Sequence, residues 1–240
     1  GEFIGCSEMS LRATDFGRRS EPGNYQLPNP GPFMKSEQCQ AIILSTLNYG
    51  ESDRIVSLFT LEHGRLRGFA KSARASRKRF GGLLEPTNRL DLLVSLKEDG
   101  LSRIEQAHAV RCLPELREQL ESLALALYAC ELVEAMTPEG HPLPRLYRLL
   151  ASMLEYLAGQ PATVEDRRFF EINLLNILGY CPVMDAVELQ PLRSCLKTGS
   201  FGKISFTSAE LEAAGRLLDH QISGYCNHPL KSRTFLDNLL

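Results

Sequence analysis

Beyond Cys39, apolar residues recur at two spacings, first near every second position and later every third or fourth. The run Ala41 to Leu44 ends at Asn48-Tyr49-Gly50, a turn signal, and Arg54 to Phe59 resumes it as far as His63-Gly64. Arg65 to Lys71 alternates, with Arg65, Arg67, Phe69 and Lys71 on one face and Leu66, Gly68 and Ala70 on the other. Glycine and alanine on the inner face predict tight curvature, as at the bend of a small barrel. Ser72 to Gly82 reads as a basic loop too polar for a core. Leu90 to Leu96 predicts a fourth strand, Glu98-Asp99-Gly100 a hairpin turn, and Leu101 to Val110 a fifth strand.

Near Leu113-Pro114 the period lengthens. Glu115 to Met136 brings Leu116, Leu120, Leu123, Leu127 and Leu132 together at helical spacing, and Thr137-Pro138-Glu139-Gly140 stops the run. A second helix is expected from Leu143 to Ala158. Thr163 caps a third, with Asp166 as its capping-box partner and Gly179 at its end. Residues 180–206 read as irregular, Thr207 to Gln221 as helical, and Leu230 to Leu240 as a short amphipathic segment after Pro229. The expected fold class is therefore α+β, a five-stranded barrel followed by an α-helical domain. The commonest five-stranded barrel is the OB-fold, which often binds single-stranded nucleic acid. The expected boundaries are 34–112 for the barrel and 113–240 for the helices.

With 240 residues and 43% hydrophobic content, the chain can fill ordinary cores. Its apolar runs are shorter than the roughly 18–20 residues that span a bilayer, so a soluble protein without membrane contact is expected, and its scattered cysteines fit a reducing, cytoplasmic setting. Residues 1–33, crowded with Pro22, Pro28, Pro30 and Pro32, read as a disordered leader or an added segment, with Met34 a candidate natural start. The cysteines number seven and never form C-x-x-C, against a disulfide framework or a four-thiolate zinc site. The histidines make no H-E-x-x-H, and neither a P-loop nor G-x-G-x-x-G is present. Cys181, His220 and Asp219 can be assembled on paper into a nucleophilic site, but nothing local supports it. No enzyme and no cofactor is expected.

Charge changes the picture. The stretch from His63 to Leu84 carries Arg65, Arg67, Lys71, Arg74, Arg77, Lys78 and Arg79 without one carboxylate. The whole chain sums to −2, so the remainder carries −9. Such a cluster suits a phosphate chain, which releases counterions on contact, or else a solvated loop. These seven residues are the expected DNA surface. Phe69 on the strand face and Tyr49 at the turn are candidates for stacking a base, with barrel core or local packing as their alternative roles. Lys231 and Arg233 form a second basic point that extends the phosphate track if the last segment folds back on the barrel. The rival is an interaction scaffold whose basic patch recruits an acidic partner.

Four stretches in order resemble the RecO family of bacterial DNA-repair and recombination mediators. They are Tyr49-Gly50-Glu51-Ser52-Asp53 leading to Glu62-His63-Gly64-Arg65-Leu66; Ala70-Lys71-Ser72-Ala73-Arg74 with Gly81, Leu83 and Pro86 following; Arg168-Phe169 with Glu171 and Leu178-Gly179-Tyr180; and Pro229-Leu230-Lys231-Ser232-Arg233. The resemblance implies an N-terminal OB-fold, a helical domain and no catalysis. It implies binding of single- and double-stranded DNA, annealing of complementary strands, and work with RecR to load RecA onto single strands coated by the single-stranded-DNA-binding protein. It places such a protein in the cytoplasm, at the nucleoid during repair. It also implies docking of that coating protein's acidic C-terminal tail on the helices, for which Arg145 and Arg148 are candidates, a solvated face being the alternative.

Two departures stand out. Many relatives carry paired C-x-x-C motifs after the Leu-Gly-Tyr stretch, whereas here only Cys181 and Cys195 lie in 180–206. Two thiols cannot fill a tetrahedral structural zinc site, so a degenerate, metal-free segment is expected, packed by Phe201 and Phe206. The glycine usual in A-K-G-A-R is Ser72 here, which bears on the loop's backbone geometry.

Overall fold

The computed structural model describes residues 36–240 apart from 77, 98–99 and 227. The expectations for residues 1–33, for Arg77 and for the Glu98-Asp99 turn therefore lie outside the described residues.

Five strands form the first part: β1 (Ser36–Tyr49), β2 (Asp53–Thr60), β3 (Gly64–Ala70), β4 (Arg89–Ser95) and β5 (Ser102–Arg111). They close into a barrel in the order β1-β2-β3-β5-β4. Closure is possible because β1 is long. Its first half pairs with β4 and its second with β2, and the register shifts between Ile43 and Ser45 where the strand changes partner. The other seam is the parallel pair β3–β5, at Gly68↔Ser102 and Phe69↔Arg103. Gly68 leaves room for Ile104 there, since a Cβ would lie 2.7 Å from Ile104 Cδ1 and displace that side chain.

Ala41, Ile43, Val56, Leu58, Leu90, Leu92, Val94 and Ile104 fill the interior. Ile42, Leu44 and Phe59 point the other way and pack among the helices, so β1 and β2 are apolar on both faces along this length. That double burial explains why Ala41 to Leu44 is a continuous apolar run instead of an alternating one.

The helical part is α1 (Leu120–Met136), α2 (Pro144–Gly159), α3 (Val164–Leu178), α4 (Gln190–Thr198), α5 (Ser208–Tyr225) and α6 (Lys231–Asp237). Helix α1 is buried nearly all round, contacting β1, α2 and α6, which suits its sequence of Ala, Leu, Tyr and Cys. The capping box at the start of α3 is present, Thr163 accepting from Asp166 N–H and Asp166 from Thr163 N–H. No helix among the described residues is long and apolar enough to cross a membrane.

Three expectations are corrected. The helix read from Glu115 to Met136 is broken: Pro114–Arg117 is one 3₁₀ turn, and Gln119 is extended before α1 begins. The break lets Leu113 and Leu116 turn into the core shared with α1 and α2. Residues 180–206 are not irregular throughout, since α4 buries Leu192 and Cys195 and ends at left-handed Gly199. Finally, the loop after β3 does contribute to a core, through Ala73 and Phe80, which are 9% and 1% exposed. Phe201, as expected, packs the 180–206 segment, its ring 4.5 Å from Phe169 and 5.4 Å from Tyr156.

Candidate nucleic-acid interface

The alternation in β3 sets the site. Gly64, Gly68 and Ala70 are buried, whereas Arg67 is exposed and Phe69 half-buried. Phe69 therefore stands on the outer surface and is not a barrel core residue. Its ring meets Tyr49 edge-on at 6.1 Å. Register places Ile55 of β2 beside Phe69, Leu47 of β1 beside Ile55, and Arg103 of β5 on the other side of Phe69. Leu47 is 63% exposed. The result is an apolar strip across three strands, flanked by exposed Arg67 and by exposed Arg103, which also lies 3.3 Å from Glu105, and followed by exposed Lys71.

Helices cover the neighbouring part of this outer surface, toward the Gly64 end of β3. Tyr147 of α2 lies 6.2 Å from Phe59, the partner of Arg65 in the β2–β3 register. Ser45 donates to Glu134 of α1 at 3.1 Å. Arg65 belongs to this covered end. Its Nε donates to the Thr137 carbonyl at 2.8 Å and its Nη1 reaches Glu139 at 3.1 Å. Gly64 admits the connection between α1 and α2, because a Cβ there would overlap the His141 carbonyl. Arg65 thus fastens barrel to helices, while Arg67, two residues on, is left to solvent.

The basic loop is folded against the opposite end of β2 and β3, where Asp53 opens β2 and Ala70 ends β3. Asp53 Oδ1 accepts from Ser72 N–H at 2.6 Å, and the Ser52 carbonyl from Arg74 N–H at 2.9 Å. Arg74 Nη1 donates to the Glu51 carbonyl at 3.1 Å, and Arg79 Nη2 to the Lys71 carbonyl at 2.7 Å. Arg79 also lies over the Phe80 ring at 5.0 Å. Buried Phe80 and Ala73 anchor what the cations surround. Each arginine satisfies one backbone carbonyl, Arg79 Nε also donating to the Ser76 hydroxyl at 3.1 Å, and both keep their full charge. Lys78 is exposed.

The remaining candidates fall elsewhere. Arg233 is turned into a carboxylate network, 2.8 Å from Asp219 and 3.6 Å from Asp237, so its charge is spent inside the helical part. Lys231 has an exposed side chain, while its backbone N–H donates to Glu131 of α1 at 2.8 Å. Arg145 and Arg148 are exposed on α2 at i, i+3 spacing. Cys195 is core, its thiol pushed up to about 11 by burial, and Cys181 is exposed. Among the described residues no three His, Cys, Asp or Glu side chains gather to hold a metal ion.

The network holding Arg233 centres on Glu171. That carboxylate is fully buried and accepts from Arg167 Nε at 2.9 Å, Arg168 Nη1 at 2.7 Å and Tyr128 O–H at 2.6 Å. Burial pushes its pKa up, but Arg168, Arg167 and the Tyr128 hydroxyl outweigh burial and hold it below the usual carboxylate range. Arg167 continues to Asp237 of α6, so the network ties α1, α3, α5 and α6.

Leu47, Ile55 and Arg103 were missed by sequence reasoning. Leu47 and Ile55 lie two residues from turn signals, in phase with outward Tyr49 and Asp53, so strand parity was an available signal. Arg103 joins the strip only through the parallel β3–β5 seam, which carries no local signal.

Comparison with known proteins agrees with this architecture. The family described as Recombination protein O N terminal matches residues 34–113, and Recombination protein O C terminal matches residues 117–187. The DNA repair protein RecO of Pelobacter propionicus is 46% identical over 238 residues, covering 85% of this chain and 97% of that protein. Those of Geobacter sulfurreducens and Geobacter metallireducens are 41% and 39% identical, covering 98% and 99% of those proteins. Both family halves match in chain order on the barrel and the helices, and the relatives align over nearly their whole length: the chain belongs to the RecO family.

Proposed function

We propose that this chain is a non-enzymatic DNA-binding mediator of recombinational repair, and that it anneals complementary single strands. The observation that supports this reading best is the open strip of Leu47, Ile55 and Phe69 between Arg67, Arg103 and Lys71, beside the arginine loop. Apolar and aromatic groups suit unstacked bases, and cations on both sides suit the phosphates that connect them. With two strands neutralised at once, complementary bases meet against less phosphate repulsion. The relatives' name, DNA repair protein, supports the same setting.

Within that reading the chain acts in the cytoplasm with RecR, assists RecA loading on single strands coated by the single-stranded-DNA-binding protein, and receives that protein's acidic tail on the helices, at Arg145 and Arg148. The test is binding and annealing of labelled complementary single strands by wild type, by an Arg74/Lys78/Arg79→Ala variant, and by an Arg145/Arg148→Ala variant. Both activities are expected to fall in the first variant, with its thermal melt unchanged, and to persist in the second. The second should instead lose binding of a labelled acidic tail peptide. Unchanged DNA binding in the loop variant would leave the cluster to an acidic protein partner and contradict the proposal.

A further inference from the structure

The basic loop leaves the barrel through a residue in an unfavourable conformation. Ser72 has φ of 53°, in the left-handed region where a Cβ crowds the backbone. Its carbonyl accepts from both Ala75 N–H at 3.2 Å and Ser76 N–H at 2.9 Å, so its torsions set the first turn of the loop. Its own N–H is held by Asp53 Oδ1 at 2.6 Å. Asp53 opens β2 opposite Tyr49, on the side of the barrel that presents Ile55 and Phe69. By charge alone a carboxylate in this position opposes a phosphate chain.

We propose that Asp53 is a positioning residue of the DNA surface: its carboxylate holds Ser72 left-handed, and so presents Arg74, Lys78 and Arg79 to phosphate in spite of its own opposing charge. This rests on the DNA-binding reading above. An acid within a basic surface is then explained by geometry, and its removal has an effect opposite in sign to that of simple electrostatics.

Two substitutions remove the same charge. Asp53→Asn keeps an oxygen within reach of the Ser72 N–H, and Asp53→Ala does not. Single-strand affinity of D53A is expected to fall about fivefold or more, because fewer molecules hold the loop in its competent form. D53N should bind as well as wild type or better. The slope of log affinity against log salt should stay unchanged in both variants, because the complex that forms keeps its phosphate contacts. Amide hydrogen exchange at Ala75 and Ser76, measured without DNA, should quicken in D53A only. A D53A/S72G double variant, in which glycine takes the left-handed form freely, should recover binding. This double variant also serves if D53A alone does not fold.

D53A binding as tightly as D53N, with unchanged exchange, would overturn the proposal while leaving the DNA reading intact. A folded double variant that stays weak would overturn it too. Failure of wild type to bind single strands would sink the DNA reading and the proposal together.

Discussion

Two sets of arginines in this molecule meet opposite surroundings. Arg167, Arg168 and Arg233 of the helical part lie among Glu171, Asp219 and Asp237, and the Arg167 side chain is 4% exposed. On the barrel, Arg67 and Arg74 are exposed, and among the described residues neither they nor Lys71, Lys78 or Arg79 pairs with a carboxylate. A buried guanidinium must be paired, since desolvation otherwise outweighs everything it contributes. A guanidinium at the surface that bonds only to neutral groups keeps its charge for a partner. Residue type is shared, so the fate of each arginine is decided by which acids the fold brings near it.

The largest effect should come from breaking the paired side. Glu171→Ala leaves Arg167 and Arg168 without their common carboxylate and Tyr128 without its acceptor, and should cost about 3–5 kcal/mol in a denaturant titration. Single-strand affinity measured where the variant is still folded should not change. The pH dependence follows from the sign of the shift. A carboxylate whose folded pKa is depressed stabilises fully above its unfolded pKa of about 4.3, and that contribution fades as pH falls through the lower folded value. Wild type should therefore lose stability in acid more steeply than Glu171→Gln.

On the open side, Phe69→Ala should weaken single-strand binding by about 1–3 kcal/mol for one stacked base, with duplex binding much less affected. Equal loss on both would assign Phe69 to packing against Tyr49 alone. A smaller effect, opposite in direction, is expected for Ser72→Gly. Relief of left-handed strain, offset by the extra freedom of unfolded glycine, should stabilise the protein by about 0.5–1 kcal/mol in thermal melts.

How legible each side was in the sequence follows from the same contrast. The outward set of β3 could be read from two-residue alternation, because one strand face is a local property. The free arginines near it could be read for the same reason. Phe80 and Ala73 could not, since their neighbours are cations and the local pattern is polar. They are buried because the loop folds back over the barrel end, a long-range event. Leu47 and Ile55 are open, and Ile42 and Phe59 covered, only because α1 and α2 pack over one end of the strip. Arg233 looked like a phosphate ligand beside Lys231, and its engagement depends on Asp219 from another helix. Helix α4 carried a usable signal in Pro191, Leu192, Cys195 and Gly199, but nine residues are few for a periodicity to declare itself.

The most direct test is a salt titration of single-strand binding by wild type and by a Lys71/Arg74/Lys78/Arg79→Ala variant. Wild type should give a linear fall of log affinity with log salt, and the variant a slope smaller by about 0.7 for each phosphate it no longer neutralises, with its melt unchanged. Equal slopes and equal affinities in a folded variant would mean that the unpaired cations of the barrel do not meet phosphate.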